Sequence, residues 1–202
     1  MSASDSILAI SGSPRRGGNS DILMERILAG GTASGLKGEA VYLRRLNYRP
    51  CIACEKCREA KKCVGLDDDM QTLYPKIEAA KGLILVSPTH FYTVSAMMKA
   101  FIDRLYCYFD FDEPRPGPWK SRLAKMRKSA VIGAVCEQND PRDMGCTLEV
   151  MQQSLDALGF RLAGQMAVLA TFDKGKVAGN RSALEDADKL GRRLAKALSR
   201  SG

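Results

Sequence analysis

The stretch "SILAISGSPRRGGNSD", residues 6–21, decides the fold. Its first six residues form a short apolar run through Ile7, Leu8, Ala9 and Ile10, which suits a strand covered on both faces. Gly12, Pro14, Gly17 and Gly18 then stop the strand and open a turn. Asn19 and Ser20 offer caps for a helix over residues 20–33. The turn lacks G-x-G-x-x-G and also lacks G-K-[ST], so it is neither a dinucleotide fingerprint nor a Walker loop. It carries the hydroxyls of Ser11, Ser13 and Ser20, the Asn19 amide, and the guanidinium groups of Arg15 and Arg16. All of these sit at a helix start, where free N–H groups and the helix dipole favour an anion. A plain turn-and-cap explains the same residues if the stretch is taken alone, so the rest of the chain has to decide.

Outward from this unit the pattern repeats. Further strands are expected at 39–44, 82–87, 129–135 and 162–170, several of them near-continuous apolar runs. Helical patterns lie between and after them. Asp67, Asp68 and Asp69 supply cap and dipole charge to 69–80. Met98, Phe101, Ile102 and Leu105 share one face of 95–107, Leu148, Met151, Leu155 and Leu158 one face of 146–158, and Ala187, Leu190, Leu194 and Ala197 one face of 181–199. Strict β/α alternation predicts a doubly wound five-stranded parallel sheet of order 2-1-3-4-5, with helices on both faces. The ligand crevice then lies outside strands 1 and 3, where the order reverses, and phosphate becomes the favoured anion for the first loop. The 202 residues fit one domain, 1–202, with two long connections at about 45–66 and 107–128.

Composition narrows the class. No apolar run reaches membrane-spanning length, and the N-terminal residues lack a basic start followed by a long apolar core, so a cytoplasmic protein without membrane association is expected. The net charge of +8 is spread along the chain, with an acid-free block at Arg115–Lys128 that reads as a solvated basic surface. No zinc-finger spacing, RNA-binding aromatic motif or basic tail accompanies it, which argues against nucleic acid. No G-x-S-x-G motif exists, and His90 is the one histidine, so hydrolase readings are poor.

Four of the seven cysteines, Cys51, Cys54, Cys57 and Cys63, are spaced C-x2-C-x2-C-x5-C inside the first long connection. Zinc sites usually separate two knuckles by a longer spacer and often add histidine. Compact ferredoxin-type runs come nearer, and the basic neighbourhood favours thiolates and an anionic cluster. A 4Fe–4S cluster, zinc, free thiols and a redox-active disulfide all remain open on spacing alone. Cys107, Cys136 and Cys146 read as buried small apolar residues.

A second loop, "SPTHFYTVSAMMKAFIDR", follows strand 3, and "AVCEQNDPRDMG" follows strand 4. Met97, Met98, Phe101 and Ile102 read as core, Asp103 and Arg104 as a local ion pair. Cys136, Glu137 or nearby backbone is placed to touch a ligand. Together "SGSPRRGGNS", the cysteine stretch ending in "DDM" and "SPTHFYTVSAMMKAFIDR" resemble the NADPH-dependent FMN reductase and iron–sulfur flavoprotein branch of the flavodoxin-like fold. The resemblance spans about residues 5–105; beyond them it is mostly the order of elements.

The resemblance implies an FMN-dependent oxidoreductase. Ser11, Ser13, Arg15, Asn19 and Ser20 would hold the FMN phosphate, and Pro88, Thr89, His90 and Phe91 would meet the flavin ring. His90 departs from the family's P-x-Y-F, where an aromatic residue is usual. Cys51, Cys54, Cys57 and Cys63 match the compact motif that holds a 4Fe–4S cluster in iron–sulfur flavoproteins. NAD(P)H is implied as a donor, with small-molecule or protein electron partners and a homo-oligomer, dimer or tetramer. The aromatic stretch 106–119 reads equally as interface, lid or plain crossover loop. A cluster-free NAD(P)H-dependent FMN or quinone reductase is the alternative, with Arg115–Lys128 then meeting the NADPH 2′-phosphate. A non-catalytic flavin- or redox-sensing module is the second alternative.

Overall fold

The computed structural model describes residues 6–200; residues 1–5 and 201–202, which the sequence reading includes in its single domain and its N-terminal assessment, lie outside the described residues. The stretch read first forms strand β1 (Ser6–Ser11) and helix α1 (Asn19–Thr32). After it come β2 (Lys37–Tyr42), the one-turn α2 (Cys57–Ala60), α3 (Met70–Ala79), β3 (Gly82–His90), β4 (Thr93–Val94) and α4 (Ala96–Arg104). The rest comprises β5 (Phe109–Phe111), β6 (Trp119–Ser121), β7 (Ser129–Val135), α5 (Thr147–Ala157), β8 (Arg161–Val168) and α6 (Arg181–Ser199).

Strands β2, β1, β3, β7 and β8 lie side by side in that order, all parallel. The direction of winding reverses between β1 and β3. β4 adds antiparallel to the end of β3, and β5 and β6 form a separate hairpin. The sequence reading counts five strands because β4, β5 and β6 are two or three residues long, too short to show a period.

Alternation along β1 divides the core. Leu8 and Ile10 pack with Leu73, Phe101, Leu105, Met151 and Leu155, under α3, α4 and α5. Ile7 and Ala9 face the other way, onto Leu23, Met24, Ile27, Leu190 and Leu194 of α1 and α6. Those two helices approach so closely that a Cβ on Gly191 would stand 1.9 Å from the Ile27 carbonyl oxygen.

Three local expectations are corrected. The α1 cap is Gly18, without a side-chain cap bond; Asp21 reaches back instead and accepts the Gly17 N–H at 2.9 Å. Asp103 and Arg104 do not pair: Asp103 takes Lys99 at 2.6 Å, and Arg104 takes Asp68 at 2.6 Å. The block Arg115–Lys128 is not simply a solvated face. Lys128 is buried against the carbonyls that end α3, Arg122 pairs with Asp110 at 3.1 Å, and Arg115 pairs with Glu55 at 2.8 Å. These partners lie far along the chain or on the backbone, where charge counting does not see them.

Candidate functional site

At the C-terminal edge of the sheet, four loops line one crevice. The β1–α1 loop contributes Ser13, Arg15, Gly18, Asn19 and Ser20, and the end of β3 contributes Pro88, Thr89 and His90. Val135 and Glu137 enter from β7 and its following turn, and Thr171, Phe172 and Lys174 from the loop after β8.

The first loop is held from below. Asp21 is buried and accepts from the Ser11 hydroxyl at 2.6 Å, the Gly17 N–H at 2.9 Å and Arg44 at 2.9 Å. Ser11 is fully buried and its oxygen accepts the Ser13 N–H at 3.2 Å, so it shapes the loop from beneath and does not line the crevice. Ser13 closes a tight turn with Arg15, donating to its carbonyl at 3.0 Å and accepting its N–H at 3.2 Å. Asn19 spends both ends of its amide on the loop after β8, donating to the Asp173 carbonyl at 2.9 Å and accepting the Val177 N–H at 3.1 Å. The Ser20 hydroxyl has no hydrogen-bond partner among the described residues, and the first-turn N–H groups of Asn19 and Ser20 are of the kind a helix start leaves without intrahelical acceptors. A Cβ at Gly18 would stand 2.5 Å from the Ser13 hydroxyl, so the turn needs glycine for this close approach.

The second loop is tied to the first through Ser95, which caps α4 and donates to the Gly12 carbonyl at 2.7 Å. Thr89 bonds Thr147 at 3.0 Å, and the His90 backbone pairs with Thr93 in the β3–β4 hairpin. Phe91 stands at the hairpin tip, 95% exposed, and is not part of the crevice wall. Glu137 lines the crevice as anticipated for the third loop, whereas Cys136 is buried behind it.

Sequence reasoning missed Asp21, Arg44 and the loop after β8. Nothing local marks Asp21 as the anchor of the first loop, because its partner Arg44 is 23 residues away. Phe172 and Lys174 belong to no periodic segment, and nothing local points them at residues 15–19.

The cysteine stretch makes a second site. Cys51, Cys54, Cys57 and Cys63 line one cavity, walled otherwise by apolar groups such as Ile52, Val64, Leu66 and Tyr106. Its loop has left-handed backbone at Ala53 (φ 51°) and Glu55 (φ 57°), and a Cβ at Gly65 would meet the Cys54 sulfur at 2.3 Å. Among the described residues no three His, Cys, Asp or Glu side chains converge on a point that could hold a single ion. Burial first, and then the neighbouring Cys63, push the Cys57 thiol up. Cys107 is buried as expected, with burial pushing its thiol up to about 12, but Cys146 is exposed, a correction to the core reading.

The two long connections form one unit. Arg115 grips both oxygens of Glu55 at 2.8 and 2.9 Å, Arg58 reaches Glu113 at 3.0 Å and stacks over Phe111 at 4.6 Å, and Arg122 donates to the Lys61 carbonyl at 2.6 Å. The aromatic stretch is thus a hairpin that clasps the cysteine loop, with Tyr106 stacked on Phe111 at 5.1 Å.

A parallel sheet wound in this order, with a hydroxyl- and cation-lined crevice where the winding reverses, defines an α/β protein of the flavodoxin-like fold. The pattern of the NADPH-dependent FMN reductases matches residues 6–170, and the chain belongs to that family. It is similar to an iron–sulfur flavoprotein of Methanocaldococcus jannaschii, 38% identical over 98 residues that cover 48% of this chain and 50% of that protein. It is also similar to an iron–sulfur flavoprotein of Methanosarcina thermophila, 37% identical over 98 residues covering 48% and 51%. The matched segment is therefore about half the length of these relatives. The fold is similar to that of an NAD(P)H:quinone oxidoreductase from Methanothermobacter marburgensis, with a TM-score of 0.71 over 95% of this chain and 99% of that one; at 20% identity this likeness concerns the fold alone. No helix among the described residues is long and apolar enough to cross a membrane.

Proposed function

We propose that the protein is an FMN-dependent oxidoreductase of the iron–sulfur flavoprotein kind. It would be cytoplasmic and homo-oligomeric, with FMN in the crevice and a 4Fe–4S cluster held by Cys51, Cys54, Cys57 and Cys63. Its electron partner is NAD(P)H, another small molecule, or a protein. Bound FMN supplies hydride and single-electron chemistry, and the cluster supplies single electrons.

The crevice suits the flavin. Arg15, the Ser20 hydroxyl and the first-turn N–H groups of Asn19 and Ser20 favour the phosphate at the start of α1, with Ser13 in the cradle wall holding the Arg15 turn. Ser11 and the Asn19 side chain build this cradle without touching its contents. Pro88, Thr89 and His90 line the crevice at the end of β3 and would meet the ring, and Phe91 stands at the adjoining hairpin tip, outside the crevice wall.

The observation that carries the cluster is that four cysteines spread over residues 51–63 line one apolar cavity. Zinc draws four donors to one point at about 2.3 Å from sulfur. A 4Fe–4S cluster would take its four thiolates from this one loop, whose cysteines line the same cavity.

The test uses protein purified without air: an absorbance spectrum with FMN, iron, sulfide and zinc analysis of one sample. About four irons and four sulfides per FMN support the proposal. FMN without iron, after attempted reconstitution, selects the cluster-free NAD(P)H-dependent FMN or quinone reductase. Cys54→Ala should lower bound iron and leave FMN in place. Ser13→Asp should abolish FMN retention.

A further inference from the structure

The loop after β8 lies past residue 170, where the family match ends, yet it forms one wall of the crevice. It is fastened to the β1–α1 loop by that loop's own polar side chains. Asn19 bonds Asp173 and Val177, and Arg15 donates to the Phe172 carbonyl at 3.0 Å while its guanidinium lies 4.8 Å from the Phe172 ring centre. The chain has reason to run this way. β8 is an edge strand, but α6 packs against α1, so the connection must cross back over the start of α1.

That crossing brings Lys174 over the first loop. A Cβ on Gly17 would stand 3.8 Å from Lys174 Cε, in ordinary contact, and the lysine lines the crevice together with Arg15, Asn19 and Ser20. No carboxylate pairs with Lys174 among the described residues. The loop before α1 thus spends the Asn19 amide on fastening a neighbour, and that neighbour returns a free ammonium to the same anion-favouring helix start.

We propose that Lys174 is a binding residue for the phosphate monoester of FMN, a second cation beside Arg15 supplied from outside the phosphate loop. The inference rests on the FMN reading above. A lysine is a compact charge on a flexible stem, so it follows a phosphate without needing bidentate geometry. Because it is exposed, its contribution is screened by salt.

The test compares FMN with riboflavin, which lacks only the phosphate. Affinities of the full-length protein for both are measured by flavin fluorescence quenching, for wild type, Lys174→Gln, Lys174→Arg and Lys176→Gln. Lys176 is an exposed cation two residues on that is not part of the crevice wall, so it controls for net charge. The expected result is a roughly tenfold loss of FMN affinity in K174Q, with riboflavin affinity unchanged, recovery in K174R and no effect in K176Q. The K174Q deficit should shrink in high salt. If wild type prefers FMN over riboflavin and K174Q keeps that preference, the assignment is overturned while the FMN reading stands. If wild type shows no preference, the FMN reading fails, and the assignment with it. If K174Q binds FMN normally but loses a preference for NADPH over NADH, the lysine serves the nucleotide donor and the assignment is overturned.

Discussion

Arg104 and Asp68 form a buried two-pronged ion pair, at 2.6 and 3.0 Å, directly beside the cysteine cavity. The same guanidinium donates to the Arg49 carbonyl at 2.8 Å and reaches the Cys63 sulfur at 3.5 Å, while its Nε has no partner. One side chain therefore holds both ends of the 49–68 segment to the end of α4. Such pairs add little over an apolar substitute, but breaking one strands a buried charge. Arg104→Met should cost about 3–5 kcal/mol in urea unfolding at neutral pH. Burial by itself raises the Asp68 carboxyl, but the bonds from Arg104 and from the Arg49 and Met70 N–H groups outweigh it and hold it below the usual carboxylate range. A depressed carboxyl contributes stability above its unfolded value and loses it as pH falls through the folded one. The wild type should thus exceed Asp68→Asn most clearly above about pH 5, and the gap should close as pH falls below the usual carboxylate range. A gap independent of pH would show that the carboxylate charge is not what matters.

Gly18 gives the β1–α1 loop its close turn. Its φ of −72° is ordinary, so alanine brings no backbone strain, but the new Cβ would lie 2.5 Å from the Ser13 hydroxyl and 3.0 Å from the Arg15 carbonyl oxygen. Gly18→Ala should displace the Ser13–Arg15 turn and weaken FMN at least about tenfold, while the cost in stability stays near 1 kcal/mol. Equilibrium dialysis with FMN and a thermal melt read the two effects separately. Unchanged FMN affinity would place the phosphate elsewhere.

The parts legible in the sequence are those with a period or a local signature. Ile7 to Ile10 announce a two-sided strand, Leu190 and Leu194 announce a helix face, and the glycines of residues 12–18 announce the turn that joins β1 to α1. The parts that stayed hidden depend on partners distant in sequence. Lys174 acquires its place only because α6 folds back on α1. Asp21 becomes the anchor of the first loop only when β2 delivers Arg44. The cysteine spacing was readable, but the clasp around it was not, since Arg115 meets Glu55 across 60 residues and β5 and β6 are too short to show a pattern.

Lys128 shows the same limit at one residue. Read as part of a basic surface, it is 2% exposed and donates to the carbonyls of Ile77, Glu78 and Ala80 at the end of α3. Those are the acceptors a helix end leaves unpaired. Lys128→Met keeps the stem's apolar packing and removes the donors, so it should cost about 3 kcal/mol in urea unfolding, with a cooperative transition retained. Lys125→Met, which removes an exposed cation of the same block, should change stability by less than about 0.5 kcal/mol. Equal effects of the two would mean that the α3 cap is not the source.

Phe91 and Tyr92 are the two central residues of the β3–β4 hairpin, and both have positive φ, 48° and 67°. Such turns normally carry Asn-Gly, because left-handed backbone costs a residue with a Cβ about 1–2 kcal/mol. The strain persists because the turn is held from behind: the Cys146 N–H donates to the Tyr92 carbonyl at 2.9 Å, and a Cβ on Gly145 would meet that oxygen at 2.2 Å. Phe91 makes no compensating core contact, since its ring is exposed and touches mainly Tyr92, at 5.8 Å between centres. If FMN occupies the adjoining crevice, a strained and solvated aromatic beside His90 is placed to contact what binds there. Phe91→Asn should therefore raise the stability of the free protein by about 1 kcal/mol while weakening flavin binding or slowing turnover. A melt without flavin and a flavin titration separate the two. A variant that gains stability and keeps full flavin affinity and turnover would show that the tip serves neither.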